Sequence, residues 1–126
     1  MDLENAQQRL AEFARERDWE QFHSPKNLVM ALAGEVGELV AIFQWLTPEE
    51  AAAVMTDPRR AAQVRTEVAD VSAYLLRLVD VLGLDLLSVL AEKITLNETR
   101  YPIDLSRGRA DKYDELQVGT HGGDQT

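Results

Sequence analysis

The sequence predicts an all-α protein, a four-helix core bundle with one short connecting helix that assembles as an oligomer. Three observations predict the helices. Hydrophobic residues make up 45% of the chain and aromatic ones only 6%, and the common types are Ala, Leu, Val, Glu and Arg, a vocabulary that favours helix over sheet. Apolar residues return at intervals of three and four through long segments. Those segments are separated by cap and stop residues: Ser24 with Pro25, Thr47 with Pro48, Asp57 with Pro58, Gly83, Asp85 and Pro102. The 126 residues fit one domain with a small core. Residues 1–116 are read as that domain and 117–126, rich in Gly and polar residues, as a disordered tail.

Taken in order, Leu3, Ala6, Leu10 and Phe13 recur at helical spacing and predict an amphipathic first helix over 2–17. A connector with Trp19, Phe22 and His23 follows, ending at Ser24 as N-cap and Pro25 in a first helical turn. The second helix should run from 26 to 45; it is apolar almost all round, so it is either central or shared with a neighbouring subunit. Thr47 and Glu50 form a capping pair for a short helix through Met55. Asp57 and Pro58 then open a third long helix, whose Val64, Val68, Val71, Leu75, Leu78 and Leu82 form a packing seam. Gly83 ends it, Asp85 caps a fourth helix to Arg100, and Pro102 terminates that one. The segment from Ile103 to Tyr113 is expected to be an ordered coil arm.

Composition excludes several classes of function. The chain has no cysteine, so thiol nucleophiles, disulfides and zinc-thiolate centres are out, and the expected location is cytoplasmic. Residues 1–9 lack the basic-then-apolar order of a signal peptide, and the longest apolar stretch carries two glutamates, so no membrane span is expected. A net charge of −9 disfavours polymeric nucleic acid, whose binding is driven by basic phosphate contacts. It leaves a nucleotide open, because a divalent cation can reverse the local sign.

The chemistry resides in two acidic pairs. Glu35 and Glu38 stand three apart in the apolar second helix, and Glu67 and Asp70 repeat the spacing beside the seam of the third. Residues three apart are neighbours on a helix, so each pair crowds like charges together. If the two helices pack antiparallel, four carboxylates converge. Buried carboxylates are paired, protonated or metal-bound, whereas a single such pair on a solvated face is ordinary structure. Hard cations such as Mg²⁺ take oxygen ligands and bridge carboxylates to phosphates. A di-iron bundle would need Glu-x-x-His on two helices, and the two histidines, His23 and His121, lie in the connector and the tail. Trp19, Trp45, Tyr74 and Tyr101 fall near the acidic pairs or at helix ends, where they are core residues or stacking platforms for a base. Lys93, Asn97 and Arg100 share one face of the fourth helix. That face is a solvated basic stripe or a phosphate clamp.

These elements together resemble a known family. Gly34, Glu35, Gly37, Glu38 and Leu39 with Gln44 and Trp45, then Glu67, Asp70 and Tyr74, then Lys93, Asn97, Arg100, Tyr101 and Pro102, are similar to the all-α nucleoside triphosphate pyrophosphatases of the MazG-like superfamily. The stretches Arg17–His23, Ser106–Gly108 and Lys112–Tyr113 look most like its dCTP pyrophosphatase branch, and the likeness spans residues 10–116. The resemblance implies hydrolysis between the α and β phosphates of a nucleoside triphosphate, to the monophosphate and pyrophosphate. It implies Mg²⁺, with Mn²⁺ as a substitute, on Glu35, Glu38, Glu67 and Asp70 as the catalytic carboxylates. It further implies substrate contacts from Trp19, Trp45, Tyr74, Lys93 and Asn97, with Arg100 and Tyr101 in the same motif, and a homodimer or homotetramer with sites at subunit contacts. The chain departs from the branch at Leu10, where the branch has a histidine by the base. The implied substrate is therefore dCTP or a modified pyrimidine, with broader clearing of dUTP or damaged triphosphates as the enzymatic alternative and a nucleotide-sensing module without catalysis as the other.

Overall fold

A computed structural model describes residues 1–112 and 114–115; Tyr113 and the expected tail over 117–126 lie outside the described residues. Residues Met1–Leu84 form one compact unit and the chain from Asp85 forms another. Among the described residues every regular element is a helix: α1 (Leu3–Glu16), α2 (Pro25–Phe43), α3 (Pro48–Ala52), α4 (Pro58–Val81), α5 (Leu86–Arg100) and α6 (Ile103–Ser106). Single 3₁₀ turns occupy Glu20–Phe22 and Val54–Thr56.

The predicted caps form, and each satisfies a backbone N–H that the first helical turn would leave unpaired. Ser24 Oγ accepts from the Asn27 N–H at 3.2 Å, Asp57 Oδ1 from Arg59 at 3.0 Å and Asp85 Oδ1 from Ser88 at 3.1 Å. Thr47 and Glu50 close a reciprocal capping box, each bond 3.1 Å. Gly83, at φ +68°, ends α4 in a Schellman motif, with its N–H on the Asp80 carbonyl and the Leu84 N–H on that of Val79, both 3.0 Å. The end of α1 uses the same motif at a position the sequence does not advertise. Asp18 takes φ 54°, its N–H reaches the Arg15 carbonyl and the Trp19 N–H reaches Ala14 at 2.8 Å. Gln21 Nε2 bonds both the Asp18 carbonyl and its carboxylate. That support lets a residue other than glycine hold a left-handed backbone.

In the first unit α2 packs principally on α4, and α1 lies against α4. Leu28, 1% exposed, is the largest fully buried side chain, with Ala14, Val54, Ala61 and Val79 around the same small core. Three expectations need correction. The α4 seam is only partly covered: Val64, Val71 and Leu78 are partly buried, but Val68, Leu75 and Leu82 are exposed. A straight helix drifts about 20° per heptad against a 3.5-residue repeat, so over the 24 residues of α4 one stripe does not stay on α2. Nor is α2 central within the chain, since Val29, Met30, Val36 and Val40 are all exposed. Finally, the coil arm begins as a helical turn. Pro102 sets its own φ at −58° and its carbonyl accepts from Leu105 and Ser106, which makes α6 before Gly108 at φ +73° ends it.

Leu28→Ala should lower the stability of the chain by about 3 kcal/mol, the transfer and cavity cost of a buried leucine. Urea unfolding measures it, and a loss below about 1 kcal/mol would show that Leu28 does not anchor the core.

Candidate metal centre and adjoining cavity

Packing of α2 on α4 decides which carboxylates meet. Oxygens of Glu35, Glu67 and Asp70, all partly buried, lie within 4.8 Å of one another. Glu38 is exposed and stands outside that trio. It shares a shallow depression of about 270 Å³ with Glu67 and Gln63, within electrostatic reach of Glu67. No ion pair among the described residues involves any of the four. Glu67 Oε2 has neither solvent access nor a hydrogen-bond partner.

An oxygen in that state is costly when charged. Glu67 responds as the physics requires: burial raises its pKa above the ordinary value, the contact with Glu35 and that neighbour's charge raise it further, and Asp70 and Glu38 add to the effect. The donor set fits a hard divalent cation, because it consists of carboxylate oxygens close enough to share one ion and includes one oxygen that nothing else satisfies.

Asp70 also belongs to a second feature. One turn on along α4 is Tyr74 and a further turn on is Arg77, and these three line a cavity of about 170 Å³ with Leu10 and Phe13 of α1 and with Trp19 and His23 of the connector. Ligand pockets run to about 300–1,000 Å³, so this one suits a single ring rather than a whole nucleotide. Local structure places Trp19: the Schellman turn at Asp18 folds it back onto Phe13, ring centroids 5.5 Å apart and planes at 74°. The Arg17 guanidinium covers Phe13, 3.6 Å from its centroid.

The other predicted residues are placed differently. Trp45 follows the end of α2, is 86% exposed and does not line the cavity. Lys93, Asn97 and Arg100 do share one face of α5, with Tyr101 at its C-cap, in the second unit. Phe13, His23 and Arg77 escaped the sequence-based site. For Arg77 a signal existed: it follows Asp70 by seven residues and Tyr74 by three, which puts a cation on the acidic face of α4.

Clustered carboxylates beside an aromatic cavity fit the class of protein that takes anionic, ring-bearing ligands with the help of a divalent cation. The particular family follows from comparison. Residues 31–116 match the MazG-like family. The rat protein dCTP pyrophosphatase 1 is 46% identical over 118 residues, 94% of this chain and 69% of its own length. The human protein of that name is 45% identical over 123 residues, 98% of this chain and 72% of its own. The crystal structure of a pyrophosphatase from Archaeoglobus fulgidus superposes with a TM-score of 0.73 at 39% identity, covering 79% of this chain and 91% of that one. The chain belongs to the MazG-like family, and it is an enzyme of the nucleoside triphosphate diphosphatase class.

Glu67 makes stability depend on pH. From its ordinary pKa of 4.5 upward, the folded chain keeps a proton that the unfolded chain has lost, so its contribution to stability falls as pH rises through the raised value. In chelator, the melting temperature of the wild type should therefore fall relative to Glu67→Gln between pH 4.5 and neutrality. A divalent cation added at neutral pH should raise the wild type and not the variant. Parallel melting curves for the two proteins would defeat this account.

Proposed function

We propose that the chain is a Mg²⁺-dependent pyrophosphohydrolase that cleaves a deoxynucleoside triphosphate between its α and β phosphates, with dCTP or a modified pyrimidine as substrate. The observation that carries this reading is the shared use of Asp70, which belongs to the carboxylate trio and to the aromatic cavity at once. One nucleotide can then be held at both ends, its phosphates by the cation and its base by the rings. The name of the curated relatives, dCTP pyrophosphatase 1, supports the same substrate.

Glu35, Glu67 and Asp70 would hold the metal, with Glu38 adding negative charge at its open side. When bound, the cation neutralises phosphate charge and lowers the pKa of an attacking water. The remaining work falls to side chains. Trp19 and Tyr74 take the base between aromatic surfaces. Water adds to phosphorus, the bridging P–O bond breaks, and pyrophosphate leaves with the monophosphate left behind. A proton from that water passes to a carboxylate or to solvent.

A homo-oligomer belongs to this proposal. Val29, Met30, Val36 and Val40 give α2 an exposed apolar face that a second copy would cover, and Trp45, 86% exposed, would gain cover with it. One observation favours the broader reading in which dUTP or damaged triphosphates are also cleared: the wall contributed by Leu10 is apolar and cannot hydrogen-bond a base edge.

Pyrophosphate release measured over a panel of triphosphates tests the reading. Turnover should require Mg²⁺ or Mn²⁺ and favour pyrimidine deoxynucleotides; equal rates for all bases would defeat the dCTP assignment. Glu38→Gln and Asp70→Asn should each cost at least about 100-fold in kcat with the fold intact by circular dichroism, as metal-centred charge stabilisation predicts. Unchanged rates would favour a sensing module. Sedimentation should show a dimer or tetramer that Met30→Glu weakens.

A further inference from the structure

The one buried charged residue among the described residues is not at the carboxylates. Arg77 is 8% exposed and is the only buried polar or charged residue of the described chain. Its guanidinium reaches two ways. Nη1 donates to Asp80 Oδ2 at 3.1 Å, one turn along α4, and Nε donates to His23 Nδ1 at 3.3 Å, across to the connector. Both Arg77 and His23 line the cavity that holds Trp19 and Tyr74.

The bond to His23 constrains the imidazole more than a carboxylate partner would. Arginine stays protonated in proteins and has no acceptor, so Nδ1 must present its lone pair. The ring is then neutral and its single proton sits on Nε2. An imidazolium would set two N–H donors against each other. Burial and the Arg77 charge both push the His23 pKa below its ordinary value, in agreement with that arrangement. The ionisable groups lining the cavity around His23 are Asp70, Tyr74 and Arg77, all from α4.

We propose that Arg77 is a positioning residue that fixes His23 as the Nε2–H tautomer, and that His23 thereby supplies a neutral, fixed donor for an acceptor on the nucleobase, a ring carbonyl or ring nitrogen. The proposal rests on the function proposed above and deepens it by assigning the polar group that reads the base. Of the other polar groups in the cavity wall, Asp70 belongs to the carboxylate trio and the Arg77 guanidinium is engaged by His23 and Asp80; the aromatic and aliphatic remainder stacks on any base and distinguishes none. Asp80 completes the device. It holds the guanidinium from the far side, so that Arg77 presents Nε to the connector while its charge stays compensated. A tie between the connector and α4 alone would not require a cation in the cavity wall, since apolar contact would serve without the cost of burying a charge.

The test uses the full chain, with ¹⁵N-labelled histidine and with steady-state kinetics on the best triphosphate. In the wild type at neutral pH, His23 should show one tautomer with Nδ1 unprotonated. Arg77→Met should give a mixture of tautomers and raise KM about tenfold, the value of one good hydrogen bond. Its kcat should stay within about twofold, because the base contact is made alike in ground and transition states. Arg77→Lys, which can still donate to Nδ1, should recover most of the loss. His23→Phe should reproduce the rise in KM with Arg77 in place, and it decides the matter alone if Arg77→Met does not fold. A proton on Nδ1 in the wild type, or an unchanged KM in His23→Phe, overturns the proposal while leaving the pyrophosphohydrolase reading untouched. Absence of turnover by the wild type with every triphosphate instead overturns that reading, and the base-reading role with it.

Discussion

Mutual repulsion among Glu35, Glu67 and Asp70 is the constraint around which the first unit is arranged. Their oxygens are gathered within 4.8 Å, and one of them, Glu67 Oε2, is shut off from solvent and has no hydrogen-bond partner. Left alone, such a cluster opposes folding. It persists because α2 and α4 are held together elsewhere, by Leu28 and the small core about it, and because the raised pKa of Glu67 eases the repulsion. Stability given up at one spot in this way is characteristic of functional sites.

The same helix pair sets the polarity of the site. Along α4, Glu67, Asp70, Tyr74 and Arg77 run from anionic through aromatic to cationic over three turns. A ligand lying along that face would meet a metal-binding end suited to phosphates and a ring-binding end suited to a base. The connector closes the second end. Its conformation depends on Asp18 in a left-handed backbone and on Gln21, which holds Asp18 there, so Trp19 and His23 arrive at α4 from a fixed turn rather than a loose loop.

Large parts of this were legible in the residues. Five punctuation points act as read: Ser24, Thr47, Asp57 and Asp85 cap helices and Gly83 ends one, because helix ends are set by groups within a few residues of one another. The two acidic pairs were legible by spacing, and three of their four members meet. Less was legible wherever distance along the chain is large. Glu38 shares the spacing but is exposed and stands outside the trio, Trp45 shares the aromatic chemistry but not the cavity, and the α4 seam is apolar by pattern yet half uncovered.

Sequence by itself determined the helices, their ends and the residue types able to bind a cation and stack a ring, since helical periodicity and capping depend only on neighbours within a turn or two. Tertiary structure alone decided which carboxylate is left without a partner, that His23 and Arg77 meet across 54 residues of chain, and that α2 presents an apolar face to the outside. Each of those depends on the rotation of one helix against another. That rotation is fixed by side-chain packing across the interface, which no local pattern encodes.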